Sequence, residues 1–331
     1  MNARFPRNNL RNFQPNSRSR LGNHFQTPLS SEFSGIESFN LDGSLRRQRT
    51  IGKIASVTGF GLWSGRDVRV EFRPAPSGTG LVFVRSDLEP QTRIPATVIH
   101  RLEMPRRTTL AVGNVSVEMV EHIIAACAGL QIDNCEIWVD QVEMPGMDGS
   151  SLAFVEALDD AGIVTQSAPR PQLMVREPLR VGTATEWVEA WPTDHDGLSC
   201  EYQLDYGPGP IESQTYRLHV SPGTFRKELA AARTFLLQHD AERLRSSGIG
   251  ARVTYQNLLV FDEHSPIDNE LRFDDECVRH KTLDLIGDLA LAGCDLVGHV
   301  VAHRSGHRLS AELVAAWLEK EQQIQDYQKI A

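Results

Sequence analysis

The sequence predicts an α+β fold of two similar domains, each a β-sheet layered against helices, with the active site between the domains. Apolar residues alternate along the opening part of each half, as they do in half-buried strands. A segment with helical spacing follows, at 117–130 in the first half and 275–292 in the second. Each helix ends near a glycine and leads into a further strand, Cys135–Val139 and Asp295–His303 respectively. Because the scheme occurs twice, we interpret the halves as the products of a duplication.

The first half reads as a sheet that is interrupted by helices. Strands are predicted, in one sheet, at 51–57, 67–72, 81–84 and 108–112, with a turn at 59–65. A turn at 148–150 leads into a helix through 154–158, for which Ser150 or Ser151 is the expected N-cap. The proline-bearing stretch 167–171 is suited to a linker.

The second half repeats this pattern and adds an apolar insertion. Strands are predicted at 173–175, 186–190, 198–204 and 215–220, and a short helix at 224–230 after Pro222. The insertion covers about 236–262 and holds more apolar residues than a simple connection requires. The predicted organisation is a disordered tail at 1–47, a first α+β domain at 48–167 and a second α+β domain at 168–331.

Length and composition limit the class of protein. A chain of 331 residues, of which 40% are hydrophobic, can bury two cores of ordinary size. No apolar run approaches the roughly 20 residues that span a bilayer, so we expect a soluble protein without membrane insertion. The five cysteines are odd in number and form no C-x-x-C pair, which argues against disulfides and favours buried free thiols in the cytoplasm. We expect a monomer.

The charge is distributed unevenly along the chain. The net charge is −9, yet residues 1–30 hold five arginines and no acidic residue, so the remaining residues carry −14. An acidic body argues against binding to nucleic acid. The arginine-rich stretch is compatible with an RNA-binding arm or a transit peptide, but its Asn, Pro, Ser and Gly content favours a disordered tail.

Four residues point to a metal-dependent hydrolase. His280 and Asp284 are four residues apart, so on a helix both side chains lie on one face, one turn apart. His122 supplies a third ligand, and Glu121 points elsewhere on its helix, where a general base is needed. The pattern predicts a hydrolytic zinc site. Because an ordinary helix-surface pair has the same i, i+4 spacing, spacing alone leaves both interpretations open.

Seven ordered motifs connect the chain to a known family. They are GFGL at 59–62 with SG at 64–65, RPAP at 73–76, VEH at 120–122, MDGS at 147–150, ARTF at 232–235, VRHK at 278–281 with Asp284 and GD at 287–288, and SGH at 305–307. From about residue 48 to about residue 323 the chain resembles the UDP-3-O-acyl-N-acetylglucosamine deacetylases, zinc enzymes of lipid A and hence lipopolysaccharide biosynthesis. That family is built from two duplicated α+β domains.

The resemblance implies a role for each residue of the site. The Zn²⁺ ligands would be His122, His280 and Asp284, with Fe²⁺ an alternative ion in the cell, and Glu121 would be the base. Further polar groups are implied at Thr234 for the oxyanion, at His307 as a cation or acid, at Asp288 to orient His307, and at Lys281. Lys281 could contact a diphosphate oxygen or the carboxylates of the site, or lie exposed on its helix without a role. Contacts with the substrate are expected from Phe235, Tyr206 and Leu110.

The implied activity is hydrolysis of the N-acetyl group of UDP-3-O-acyl-N-acetylglucosamine with release of acetate, the committed step of lipid A biosynthesis. The insertion at 236–262 would form the acyl-chain passage, although a lid helix would use the same residues. The chain departs from the family at Trp63, where His is usual, and at 250–252, where Gly-Ala-Arg replaces Gly-Gly-Ser. Arg252 is expected to add bulk and charge near the passage. Two alternatives therefore stay open, an amidohydrolase with a different substrate and a non-catalytic nucleotide-sugar binding protein.

Overall fold

The computed structural model describes residues 45–330, with side chains described up to Ile324. The arginine-rich stretch 1–30 lies outside the described residues. No helix in the described part of the chain is both long and apolar enough to cross a membrane. All five cysteines are free and buried, as predicted.

From residue 45 onward, the first half contains ten strands and two α-helices. They are β1 Arg47–Ile51, β2 Ala55–Phe60, β3 Asp67–Pro74, β4 Leu81–Arg85, β5 Thr92–Pro95, β6 Arg101–Leu102, β7 Thr109–Val112, β8 Val115–Glu118, α1 Glu121–Gly129, β9 Cys135–Val139, α2 Leu152–Ala161 and β10 Ile163–Pro169.

The second half contains eight strands and four α-helices within the described residues. They are β11 Gln172–Met174, β12 Leu179–Gly182, β13 Trp187–Trp191, β14 Leu198–Leu204, β15 Gln214–His219, α3 Pro222–Thr224, β16 Phe235–Leu237, α4 Gln238–Ser246, β17 Leu259–Phe261, α5 Glu276–Leu289, β18 Asp295–His303 and α6 His307–Ile330.

The two halves share one sheet topology. The strand order is β2-β3-β9-β4-β5 in the first sheet and β12-β13-β18-β14-β15 in the second, where β11 also pairs with β18. The strand after the main helix lies in the middle of each sheet. That strand runs antiparallel to one neighbour (β3 or β13) and parallel to the other (β4 or β14). The predicted α+β class with a repeated scheme is confirmed.

Helices α1 and α5 pack against each other. Nearly every residue of α1 is buried, which fits a helix that is covered on all sides. The close approach depends on Gly287 in α5, because a Cβ at this position would overlap the backbone oxygen of Glu121. This contact brings the start of α1 beside the middle of α5, where the site forms.

Several predictions for the first half need correction. The helix begins at Glu121 rather than at Val117, since 115–118 form β8 and Met119 takes a positive φ of 60° between strand and helix. The run 51–57 is two strands, β1 and β2, because the chain turns at Gly52, whose N–H donates to Gly162 O. β7 belongs to a separate sheet of order β6-β7-β8.

The stretch expected as a linker also has regular structure. β10 extends to Pro169 and pairs antiparallel with β1. The predicted cap of α2 is present only in part, because the Ser151 hydroxyl donates to His122 O at 2.8 Å while Leu152 N–H donates to Ser150 Oγ at 3.2 Å.

In the second half the structure adds two elements and refines a third. Neither β12 nor α6, which begins at His307, was predicted. Residues 225–229 form a π-helical turn after α3. The insertion is a β-α-β unit in which β16 and β17 pair in parallel and α4 connects them.

Candidate active site

The three predicted metal ligands converge where α1 packs on α5. His122, at the second position of α1, faces His280 and Asp284, which lie one turn apart on α5. Asp284 Oδ1 is 3.4 Å from His280 Nε2 and 3.6 Å from His122 Nε2. One ligand atom from each residue lies within 4.8 Å of the other two, and all three residues are buried. The imidazole rings stand nearly perpendicular, with centroids 5.0 Å apart.

The bonding pattern around this group fits a divalent cation. Asp284 Oδ1 is buried and has no hydrogen-bond partner among the described residues, although a carboxylate oxygen in a protein interior needs one. His280 Nδ1 lies 3.1 Å from Ala232 O. Since a carbonyl only accepts, Nδ1 donates and the lone pair of Nε2 faces the group. Lys281 Nζ contacts the other oxygen of Asp284 at 2.7 Å.

The charge states also suit metal binding. Burial lowers the pKa of His122 to about 3, with the charge of His280 adding to the effect. Burial likewise lowers the pKa of His280, so both rings are neutral near pH 7. Burial would raise the pKa of Asp284, but the charges of His280 and Lys281 outweigh it and lower that pKa. Two neutral imidazoles and one carboxylate form the usual ligand set of a zinc site with an open position.

Glu121 lies beside this group without belonging to it. Its carboxylate is 2% exposed, and Oε2 accepts a hydrogen bond from the Thr108 backbone N–H at 3.0 Å. Burial raises the pKa of Glu121 to about 7. Oε1 is 3.9 Å from Nε2 of His307, the first residue of α6. A carboxyl group with this pKa can exchange a proton at neutral pH.

His307 is held by Asp288, one turn beyond Asp284 on α5. His307 Nδ1 lies 2.9 Å from Asp288 Oδ2. Burial lowers the pKa of His307, but the charge and hydrogen bond of Asp288 outweigh burial and raise it to about 9. The ring is therefore a cation at pH 7.

Thr108 is a residue that sequence reasoning missed. Its backbone N–H binds Glu121 and its hydroxyl donates to Asp288 Oδ1 at 2.7 Å, so one fully buried residue orients both carboxylates. The only signal in the sequence was a Thr-Thr pair at the start of a predicted strand, which gives no indication of contact with residues 13 and 180 positions away.

The site opens into a cavity of about 1000 Å³. Its polar lining includes Glu121, His122, His280, Asp284 and His307, together with Thr234, Lys281, Tyr206 and Arg304. The insertion contributes much of the apolar lining, here called the apolar end, through Leu236, Leu237, Leu244, Ile249, Val253, Leu258 and Val260. A cavity with both charged and apolar lining fits an amphiphilic ligand.

The remaining predicted residues divide into those that line the cavity and those that do not. Phe235 and Tyr206 line it and pack edge to face at 5.6 Å, and Trp63 lines it beneath the Arg107 guanidinium. Leu110 does not line it, because this side chain is fully buried in the core. The expected substrate contact of Leu110 is therefore corrected to a packing contact.

Arg252 is also absent from the cavity wall. Its guanidinium contacts Asp67 Oδ1 at 2.7 Å and Gly65 O at 2.8 Å, and it lies over the ring of Phe60. Arg252 therefore adds its bulk and charge to the surface of the protein and not to the predicted acyl-chain passage.

Comparison with known proteins gives a consistent result. Residues 48–319 match the family described as UDP-3-O-acyl N-acetylglycosamine deacetylase. A UDP-3-O-acyl-N-acetylglucosamine deacetylase of Idiomarina loihiensis is 41% identical over 280 residues, covering 82% of this chain and 90% of the relative. The proteins of that name in Myxococcus xanthus and Brucella melitensis biotype 2 are 40% and 38% identical, covering 81% and 83% of this chain and 85% and 96% of the relatives. The chain belongs to the UDP-3-O-acyl-N-acetylglucosamine deacetylase family.

Proposed function

We propose that this protein removes the N-acetyl group of UDP-3-O-acyl-N-acetylglucosamine by hydrolysis, releasing acetate, as the committed step of lipid A biosynthesis. The observation that carries the proposal is the position of Glu121 and His307. They face each other at 3.9 Å beside a three-ligand group, in a cavity that also has an extensive apolar lining. Family membership supports the same reaction.

The ion is assigned to His122, His280 and Asp284, with Zn²⁺ favoured by the two imidazoles and one carboxylate, and Fe²⁺ as the alternative. Such an ion, when bound, acts as a Lewis acid that polarises a carbonyl and acidifies water. Lys281 neutralises Asp284 from the side opposite the two rings, which favours its role at the carboxylate over contact with a diphosphate oxygen.

Glu121 is assigned as the general base. Its ordinary pKa would leave it a weak base at pH 7, and burial raises that pKa to about 7. The Thr108 N–H holds Oε2, which leaves Oε1 directed toward the cavity and His307. Glu121 therefore takes a proton from the attacking water.

His307 is assigned as the cation that stabilises the developing charge and delivers a proton to the leaving amine. Because Nδ1 bonds to Asp288, the Nε2–H of the protonated ring faces Glu121 and the cavity. Thr234 also lines the cavity, and its hydroxyl is assigned to the oxyanion.

The apolar end of the cavity is assigned to the 3-O-acyl chain. Each methylene buried against these walls contributes roughly 0.8 kcal/mol, so the chain adds substantial binding free energy far from the reacting carbonyl. Tyr206 and Phe235 line the same cavity and contact each other, and we assign them to the sugar nucleotide. The five buried free thiols support action in the reducing cytoplasm, where we propose that the protein acts as a monomer.

The decisive assay compares acetate release from UDP-3-O-acyl-N-acetylglucosamine and from UDP-N-acetylglucosamine at equal enzyme concentration. We expect a kcat/KM that is lower by several orders of magnitude without the acyl group, since its buried methylenes no longer stabilise the transition state. Equal values would favour an amidohydrolase with another substrate. Binding of the acylated compound without any acetate release would favour the non-catalytic alternative.

A further inference from the structure

The outer face of the second sheet carries a histidine cluster that the proposed reaction does not use. Ser199 on β14 lies directly opposite His219 on β15 and His299 on β18. Since side chains alternate along a strand and Cys200 faces the core, Ser199 and its two neighbours share the outward face. The loop before β14 adds His195, whose ring contacts Ser199.

Two of these rings converge on one hydroxyl. His195 Nε2 and His219 Nδ1 each lie 3.3 Å from Ser199 Oγ. The two rings are 5.4 Å apart between centroids and inclined at 83°. The candidate ligand pair on α1 and α5 has nearly the same mutual geometry, at 5.0 Å and 86°. The outer pair therefore resembles the candidate ligand pair in ring separation and tilt, and both of its inward nitrogens are directed at Ser199 Oγ.

The backbone fixes the orientation of the first ring. His195 Nδ1 lies 3.4 Å from Asp196 O, and because a carbonyl only accepts, Nδ1 donates. The lone pair of a neutral His195 is therefore on Nε2, facing Ser199 and His219. His280 is held in the same manner by Ala232 O. A hydrogen bond from the outer nitrogen to a carbonyl is typical of histidines that bind metals.

His299 adds a third imidazole to this face of the sheet. His299 Nδ1 is buried and has no hydrogen-bond partner among the described residues. Burial lowers the pKa of His299, so this ring is neutral at pH 7 and does not repel a cation. Glu201 lies two residues along β14 from Ser199 on the same outward face, directly opposite Arg217 on β15, so the two charges beside the cluster offset each other.

We propose that His195 and His219 bind a divalent transition-metal ion on the outer face of the second sheet, with Ser199 beside it and solvent completing its coordination. Imidazole donors suit Zn²⁺, Cu²⁺ and Ni²⁺. His219 is exposed, so its ring can take the tautomer that leaves Nδ1 unprotonated. The ion would join the loop before β14 to β15. No residue of this site belongs to the candidate active site.

The test counts bound ions in the full-length protein. Zn²⁺ is titrated into protein that already carries one ion per chain, and free and bound metal are measured after equilibrium dialysis. We expect a second, weaker Zn²⁺, whose affinity falls by more than about 100-fold in His219→Ala, since loss of even an outer-sphere partner lowers metal affinity roughly 10–100-fold. His264→Ala, which removes another exposed histidine, is the matched control and should bind the second ion normally.

Two further measurements separate this site from the active site. His280→Ala should lose the tight ion and keep the weak one. Zn²⁺ should also shift the ring NMR signals of His195 and His219 in the wild type. A single ion per chain at every tolerated Zn²⁺ concentration would overturn the proposal, as would a second ion that persists when His195 and His219 are both replaced by alanine.

Discussion

The carboxylate of Asp288 bonds His307 Nδ1 at 2.9 Å through one oxygen and accepts the Thr108 hydroxyl at 2.7 Å through the other. Asp288 thus connects the acid of the proposed reaction to the residue whose backbone holds Glu121. Thr108, Glu121 and Asp288 are buried, and the His307 side chain is only 10% exposed, so each hydrogen bond within the arrangement strongly influences the charge state and orientation of its partner.

The first prediction concerns the alkaline limb of the pH profile. The folded-state pKa of His307 is raised to about 9, so the cation is present below that pH and is lost as the pH rises through it. We expect kcat/KM to fall above about pH 9. Asp288→Asn removes the charge that raises this pKa, so the limb should move to lower pH. Glu312→Gln, an exposed change on the same helix, should leave it in place. If kcat/KM of Asp288→Asn falls at the same alkaline pH as in the wild type, His307 is not the group whose deprotonation causes the fall.

A second prediction uses two adjacent threonines. Thr108→Val leaves one oxygen of a buried carboxylate without its donor, and hydrogen bonds to charged groups contribute about 1.5–3 kcal/mol. We expect the free energy of unfolding to fall by that amount, measured by denaturant titration. Thr109→Val is the control, because the buried hydroxyl of Thr109 has no hydrogen-bond partner among the described residues. Equal losses in the two variants would mean that the bond to Asp288 contributes nothing.

Gly287 provides a third prediction. Gly287→Ala forces α1 away from α5, because the added Cβ would overlap the Glu121 backbone oxygen. Overpacking of this kind typically destabilises a protein by about 1–3 kcal/mol, and the shift also separates His122 from the ligands on α5. Thermal unfolding and metal affinity should both decline, whereas Gly209→Ala, which meets open space, should change neither. Normal metal affinity in Gly287→Ala would show that the site tolerates separation of the helices.

The fourth prediction concerns acyl-chain length. Since Arg252 is held by Asp67 outside the cavity, Arg252→Gly should leave the profile of kcat/KM against chain length unchanged. Val253 lines the apolar end, so Val253→Trp should shift the preference toward shorter chains. If Arg252→Gly instead favours longer chains, the arginine reaches the passage during turnover.

The sequence predicted which residues form the site more accurately than it predicted the secondary structure around them. Residues at i and i+4 of a helix lie on the same face, so the proximity of His280 and Asp284 could be predicted from their spacing alone. The start of α1 could not be predicted in this way, because the apolar residues at 117 and 120 fit the spacing of a helix as well as that of a strand. The change from strand to helix depends on the positive φ of Met119. Local periodicity does not report such a backbone conformation.

Contacts between distant parts of the chain were the least accessible to prediction. Thr108 meets Asp288 across 180 positions, and only the packing of α1 on α5 brings them together. Leu110 was expected at the substrate and lies in the core, because its strand belongs to a separate three-stranded sheet. Arg252 was expected at the passage and turns outward to a carboxylate 185 positions away.

The central claim is that Glu121 acts as the base while His280 holds the ion. The most direct measurement is metal content and acetate release in Glu121→Gln and His280→Ala, assayed side by side with the wild type. We predict that Glu121→Gln keeps its ion and loses roughly 10²–10⁴ in turnover, as expected for the loss of a general base, whereas His280→Ala loses the ion. Wild-type turnover in Glu121→Gln, or full occupancy of the tight site in His280→Ala, would contradict the assignment.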